Sequence, residues 1–219
     1  MSNVTAPEPL VQAHRPAEFV DLKAYVPSLH IDLKYAGTDN FLGRPVDGYV
    51  RGKHSLTPWL THAAAEAVAK VQAALSEFGL SLLVFDTYRP QRAVNDFITW
   101  SSVAGDETQK ATYYPHLPKP ALFGDGYLIK HSSHSRGSTL DVTLVDAVTG
   151  EALDMGTCFD FFGPESWLDA MGISPQARAN RMLLQAVMVA QGFVPFDKEW
   201  WHFTLANEPF PNQYFDFVE

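Results

Sequence analysis

The sequence predicts a single α+β domain built on a central, mostly antiparallel sheet flanked by helices. Three observations lead there. Hydrophobic residues make up 46% of the 219 positions and charged residues 19%, enough apolar material for one core. Two segments carry strong helical periodicity, while several others alternate at strand spacing. The last strand patterns are not all separated by helices, which argues against a regular parallel α/β order.

The elements follow in chain order. Residues 1–17 read as a flexible N-terminal arm broken by Pro7, Pro9 and Pro16, and residues 18–219 as the domain. Leu29, Ile31 and Leu33 fall at strand spacing, and residues 36–54 form an ordered loop. A helix is expected from Pro58 to Phe78, capped by Thr57, with Ala64, Val68, Val71 and Leu75 on one face and Gly79 as its stop. A buried strand follows over Leu80 to Phe85, then a short helix over Gln91 to Trp100. Residues 101–127 are polar and irregular and read as a long surface excursion. Leu140, Val142 and Leu144 alternate within a strand from Thr139 to Val145. A second helix is expected from Pro175 to Gln191, capped by Ser174 and closed by Gly192, and Phe193 to Phe203 returns as strand-like sequence.

Charge and cysteine content exclude whole classes of function. The net charge of -9 disfavours nucleic acid and anionic membrane surfaces. One cysteine, Cys158, allows neither an intrachain disulfide nor a Cys-rich zinc site, and it reads as a small buried hydrophobe. No window is long and apolar enough to span a bilayer, and MSNVTAPEPLVQAHRPAEFV lacks the h-region of a signal peptide, so the expected location is the cytoplasm.

Two segments carry chemistry: HSSHSRGSTLD at 131–141 and EWWH at 199–202. A catalytic zinc ion takes three ligands from His, Asp or Glu and keeps a position for water, whose pKa falls to about 7. A further carboxylate must then take the proton. His134, His202, Asp141 and Glu199 together offer the two imidazoles and two carboxylates for such a set. Side chains alternate along a flat strand, so each motif needs a turn or bulge to converge; Gly137 and Ser138 offer one in the first. A helical Glu-x-x-His pair of the di-iron kind would need a second such motif, which the chain lacks. His14, His30, His54, His62 and His116 have no neighbours that complete a ligand set, and His131 has no evident role beside His134.

At these residues the sequence resembles the D-Ala-D-Ala dipeptidases of the vancomycin-resistance (VanX) type, within the zinc D,D-peptidases. The resemblance rests on SSHSRGSTLDVTL at 132–144 and EWWH at 199–202. It extends to DTYRPQRAV at 86–94, DLKYAGTDNFLGRPVDGY at 32–49 and MGTCFDFFG at 155–163. It implies a hedgehog/D,D-peptidase-like fold and a catalytic domain over 18–219. It also implies one Zn2+ per chain on His134, Asp141 and His202, with Glu199 as general base. Arg89 then matches the arginine that stabilises the oxyanion, and Asp160 the residue that holds the substrate ammonium. Tyr35, Ser132 and Ser133 match further substrate contacts. Thr139 stands where the pattern expects a small apolar residue. The implied substrate is the small zwitterion D-Ala-D-Ala, with no nucleic acid or membrane partner; oligomeric state is not readable. The rival readings are a D,D-carboxypeptidase or cell-wall endopeptidase of the same fold, and a zinc-containing binding module without catalysis.

Overall fold

The two strongest strand patterns pair with each other in the middle of a five-stranded sheet. A computed structural model describes residues 10–52, 54–124 and 126–218 of the chain. The sheet contains β1 (His30–Ile31), β2 (Leu80–Asp86), β3 (Thr139–Asp146), β4 (Phe193–Phe196) and β5 (Glu199–Leu205), in the spatial order β1-β2-β3-β5-β4. β1 runs parallel to β2, and every other neighbouring pair is antiparallel. The architecture is the α+β class expected, with a central five-stranded mixed sheet flanked by helices.

Three helices matter for the site: α1 (His62–Ser76), α2 (Gln91–Ser102) and α3 (Pro175–Ala190). α1 packs on β2 and on α3, and α3 packs on β3, β4 and β5. Val68, Val71 and Leu75 of α1 and Leu184 and Met188 of α3 are buried, as are Leu82, Val84, Leu140, Val142, Leu144 and Phe203 of the strands. Each such side chain contributes roughly 1.5–3 kcal/mol on leaving water. Because side chains alternate, Asp141 and Thr143 project from the sheet's other face, where α2 and the long loops gather. Thr139, unexpected at its position, shares a 2.9 Å hydrogen bond with Thr204 across the β3–β5 pair.

Several boundaries differ from the sequence reading. α1 begins at His62 rather than Pro58, because Trp59–Thr61 pairs antiparallel with Phe19–Asp21. Thr57 is therefore not the cap, and Thr61 stands at that position with its hydroxyl 2.6 Å from Ser138 Oγ. The strand-like run after Gly192 is a hairpin, folding back at Asp197–Lys198 so that Trp200, Trp201 and Phe203 are buried. Pro195 is tolerated because β4 is an edge strand. Within the excursion before β3, Lys110–Tyr113 and Ala121–Gly124 each form one helical turn.

Of the arm expected over 1–17, residues 1–9 lie outside the described residues, while Val11–Gln12 pair parallel with Tyr214–Phe215. Cys158 is exposed rather than buried, since its segment turns Phe159 and Asp160 inward instead. Ser174 does cap α3, accepting from Ala177 N at 3.0 Å. No helix among the described residues is long and apolar enough to cross a membrane.

Candidate metal centre and cleft

Register alone brings two of the three candidate ligands together. Asp141 on β3 and His202 on β5 are direct cross-strand partners, so both side chains leave the same face. His134 arrives from a 3-10 turn, Ser133–Arg136, which Ser132 caps by accepting from His134 N at 3.3 Å. Gly137 ends that turn at φ +83°, where a Cβ would also collide with the Phe19 ring. This is the reversal required between His134 and Asp141. In the second motif the pairing shifts between Glu199 and Phe203, which puts Glu199 on the same side as His202.

The three donor atoms sit 3.1–3.3 Å from one another: His134 Nε2, His202 Nδ1 and Asp141 Oδ1. Zinc bonds of about 2.0–2.1 Å at tetrahedral angles place ligands about 3.3 Å apart, so the triangle has the edge length of such a centre. His134 Nδ1 donates to Thr87 O at 2.7 Å, which directs the Nε2 lone pair into the triangle. Asp141 Oδ1 is buried and has no hydrogen-bond donor of its own, as a metal ligand would be left without its ion. Burial pushes Asp141 up, but His134 and His202 outweigh it and hold the carboxyl well below the usual range. Among the described residues no other His, Cys, Asp and Glu side chains converge in this way. His131 packs against the Tyr214 ring instead.

Around the triangle, Glu199 Oε2 lies 3.5 Å from His202 Nδ1, and the Glu199 side chain is 12% exposed. Burial raises its carboxyl to about 7, with Asp141 adding and His202 and Arg89 opposing. Arg89 is held by Asp86, with Nε 2.9 Å and Nη2 2.8 Å from Oδ2, and Nη2 reaches within 3.6 Å of Asp141 Oδ2. The guanidinium lies over the rings of Tyr35 and Phe97. Asp160 is buried at φ +60°, and Oδ2 accepts from Tyr35 Oη at 2.9 Å. Burial pushes Asp160 well above the usual carboxylate range; Asp141 and Glu199 add to this, while Tyr35 and Arg89 oppose it. Ser133 Oγ is 3.3 Å from His202 Nε2.

All the candidate residues, Tyr35, Arg89, Ser132, Ser133, His134, Asp141, Asp160, Glu199 and His202, line one cleft of about 160 Å³. Tyr127, Ile129, Phe196 and Trp201 add apolar wall. The sequence reading gave no role to Asp86. Its carboxylate is fully buried and also accepts from Tyr49 Oη at 2.6 Å and Thr87 N at 2.9 Å. Its position three residues before Arg89 at a strand end was the available signal, but a strand-end Asp looks like any turn residue.

The family model Peptidase M15, described as D-Ala-D-Ala dipeptidase, matches residues 15–219. The chain belongs to this family. It is 41% identical over 199 residues to a D-alanyl-D-alanine dipeptidase of Enterococcus faecium, covering 91% of this chain and 96% of the relative. It is 40% identical over 200 residues to one of Streptomyces coelicolor, covering 91% and 97%. Among solved structures, the LD-carboxypeptidase LdcB overlaps 90% of this chain and 71% of its own at 15% identity, with a TM-score of 0.46. As a member of the D-Ala-D-Ala dipeptidase family, the protein is a hydrolase of the metallopeptidase kind.

Proposed function

We propose that this chain hydrolyses the free dipeptide D-Ala-D-Ala to two D-alanine molecules, with one zinc ion held by His134, Asp141 and His202. The observation that carries the reading is the donor triangle of 3.1–3.3 Å with Glu199 3.5 Å from one of its corners. Bound there, zinc supplies a water acidic enough to ionise near neutral pH and polarises the scissile carbonyl.

The chain's own groups do the rest. Glu199 takes the proton from the attacking water and returns it to the leaving amine, a role worth about 10²–10⁴-fold. Its raised pKa of about 7 suits both transfers; the charge of a bound cation pulls it somewhat lower. Arg89, fixed by Asp86, faces the developing oxyanion. Asp160 pairs with the substrate ammonium, which supplies the positive charge that this buried carboxyl lacks. Tyr35 orients Asp160, and the Ser132 and Ser133 hydroxyls offer contacts to the rest of the dipeptide.

An N-acylated peptide carries no N-terminal cation and would leave Asp160 without a countercharge, which disfavours the carboxypeptidase and endopeptidase readings. Turnover of D-Ala-D-Ala, measured with metal content before and after chelation and after zinc is restored, tests the proposal. The expectation is loss and recovery of activity in step with one zinc per chain. Full turnover in metal-free protein would refute it.

A further inference from the structure

Helix α3 sends a cation inward, away from the cleft. Arg181 is 5% exposed, and the acceptors it meets are neutral. Nε donates to Met155 O at 2.7 Å, Nη1 to Trp167 O at 3.1 Å, and Nη2 to Glu165 O at 2.8 Å and Thr157 Oγ1 at 3.4 Å. The preceding Asn180 donates to Asp154 O at 2.8 Å. A guanidinium held by carbonyls and a hydroxyl gives up hydration without a paired carboxylate, which is costly. Burial accordingly pulls Arg181 down to about 10, against Asp154.

What the guanidinium holds is the segment that carries Asp160. Between Met155 and Trp167 the only regular structure is the 3-10 turn Pro164–Ser166, and Asp160 sits there at φ +60°. A planar fork with five donors can fasten several points of such a segment at once, which a lysine cannot. Thr157 Oγ1 is the shared node: it also accepts from Trp200 Nε1 at 2.9 Å and lies 3.0 Å from Ser166 Oγ. Trp200 directly follows Glu199, and the Arg181 guanidinium lies 5.7 Å from its ring centre. One helix side chain therefore fixes the chain three residues before Asp160 and one residue after Glu199. Arg181, Thr157 and Trp200 do not line the cleft.

We infer that Arg181, acting through Thr157 and Trp200, is a positioning residue that sets Asp160 against Glu199 and so tunes selection of dipeptides with a free ammonium. The inference rests on the reading of Asp160 as the ammonium partner. Its test uses the full-length, zinc-loaded enzyme. Arg181→Met, Arg181→Lys and Thr157→Val are assayed on D-Ala-D-Ala, alone and combined with Asp160→Ala, with zinc content measured for each.

In Arg181→Met, KM for the free dipeptide should rise about tenfold, the size seen for coupled neighbours. Its kcat and zinc content should stay near those of the parent, and Arg181→Lys should fall between. In the Asp160→Ala background the same substitution should add nothing to KM. A purely structural role would instead lower kcat with zinc content, or add its full effect in that background; either result overturns the inference. Thr157→Val keeps the side chain's shape and covers the case in which Arg181→Met does not fold. It should raise KM in the same direction, and an unchanged KM would count against the node. If Asp160→Ala by itself leaves KM for the free dipeptide unaltered, the ammonium reading falls, and this inference with it.

Discussion

Replacing Asp86 by asparagine keeps the shape of a fully buried side chain and removes its charge. One hydrogen bond from Arg89 Nε at 2.9 Å and an ion-pair contact from Nη2 at 2.8 Å, both to one carboxylate oxygen, lose their ionic partner. Tyr49 Oη and Thr87 N can still donate to the amide oxygen, so the loss falls mainly on the arginine, with His134 Nδ1 3.6 Å from the carboxylate oxygen that Arg89 contacts. Breaking a buried ion pair from one side costs about 3–5 kcal/mol. Arg89 retains Asp141 at 3.6 Å and the rings of Tyr35 and Phe97, which places the expected loss at the low end, about 3 kcal/mol. For a chain of this size that corresponds to a fall in Tm of roughly 6–12 °C. If Arg89 then leaves its place, kcat on D-Ala-D-Ala should drop by about 10²-fold, the scale of a lost oxyanion donor. Thermal unfolding of the zinc-loaded enzyme and steady-state kinetics read the two effects. A variant within about 2 °C of the parent Tm, with undiminished kcat, would refute the argument that Asp86 anchors Arg89.

Glu199→Ala should retain zinc, since all three ligands remain, yet lose about 10²–10⁴-fold in kcat; near-parental turnover would remove it as the base. Only the ionised form of Glu199 accepts a proton, so kcat/KM should fall as the pH drops below about 7, with bound zinc moving that limb lower. A profile flat from roughly pH 5 to 8 would contradict this assignment. Protonated Asp160 cannot pair with an ammonium, and burial raises its pKa, so KM for the free dipeptide should rise as the pH falls through that raised value. In Asp160→Asn, KM should be higher and lack this dependence, and a parental KM profile would place the ammonium elsewhere.

The central strands and α3 were legible because their patterns are locally complete: Leu140, Val142 and Leu144 alternate, and Ser174 and Pro175 open a periodic helix. Pro58 misled because helix-start signals at Thr57 are local, while the pairing of Trp59–Thr61 with Phe19–Asp21 is made by residues distant in sequence. The hairpin after Gly192 was hidden for a related reason, since Asp197 and Lys198 carry no Gly or Asn to mark the turn. At the site, residue chemistry singled out His134, Asp141, Glu199 and His202, and the structure gathers them. Asp86 escaped because its importance is entirely in its partners, Arg89, Tyr49 and Thr87, which only the folded chain assembles around it.

The facing positions of Asp141 and His202 have one more consequence. Slippage of β5 against β3 by a single residue would turn His202 toward the helices while Asp141 stayed behind, and no triangle could form. If zinc binds there as proposed, affinity for the cation would double as a proofreader of strand alignment: a chain that folds out of register would be blind to metal. Uptake of zinc during refolding would report when those two strands have found their correct partners.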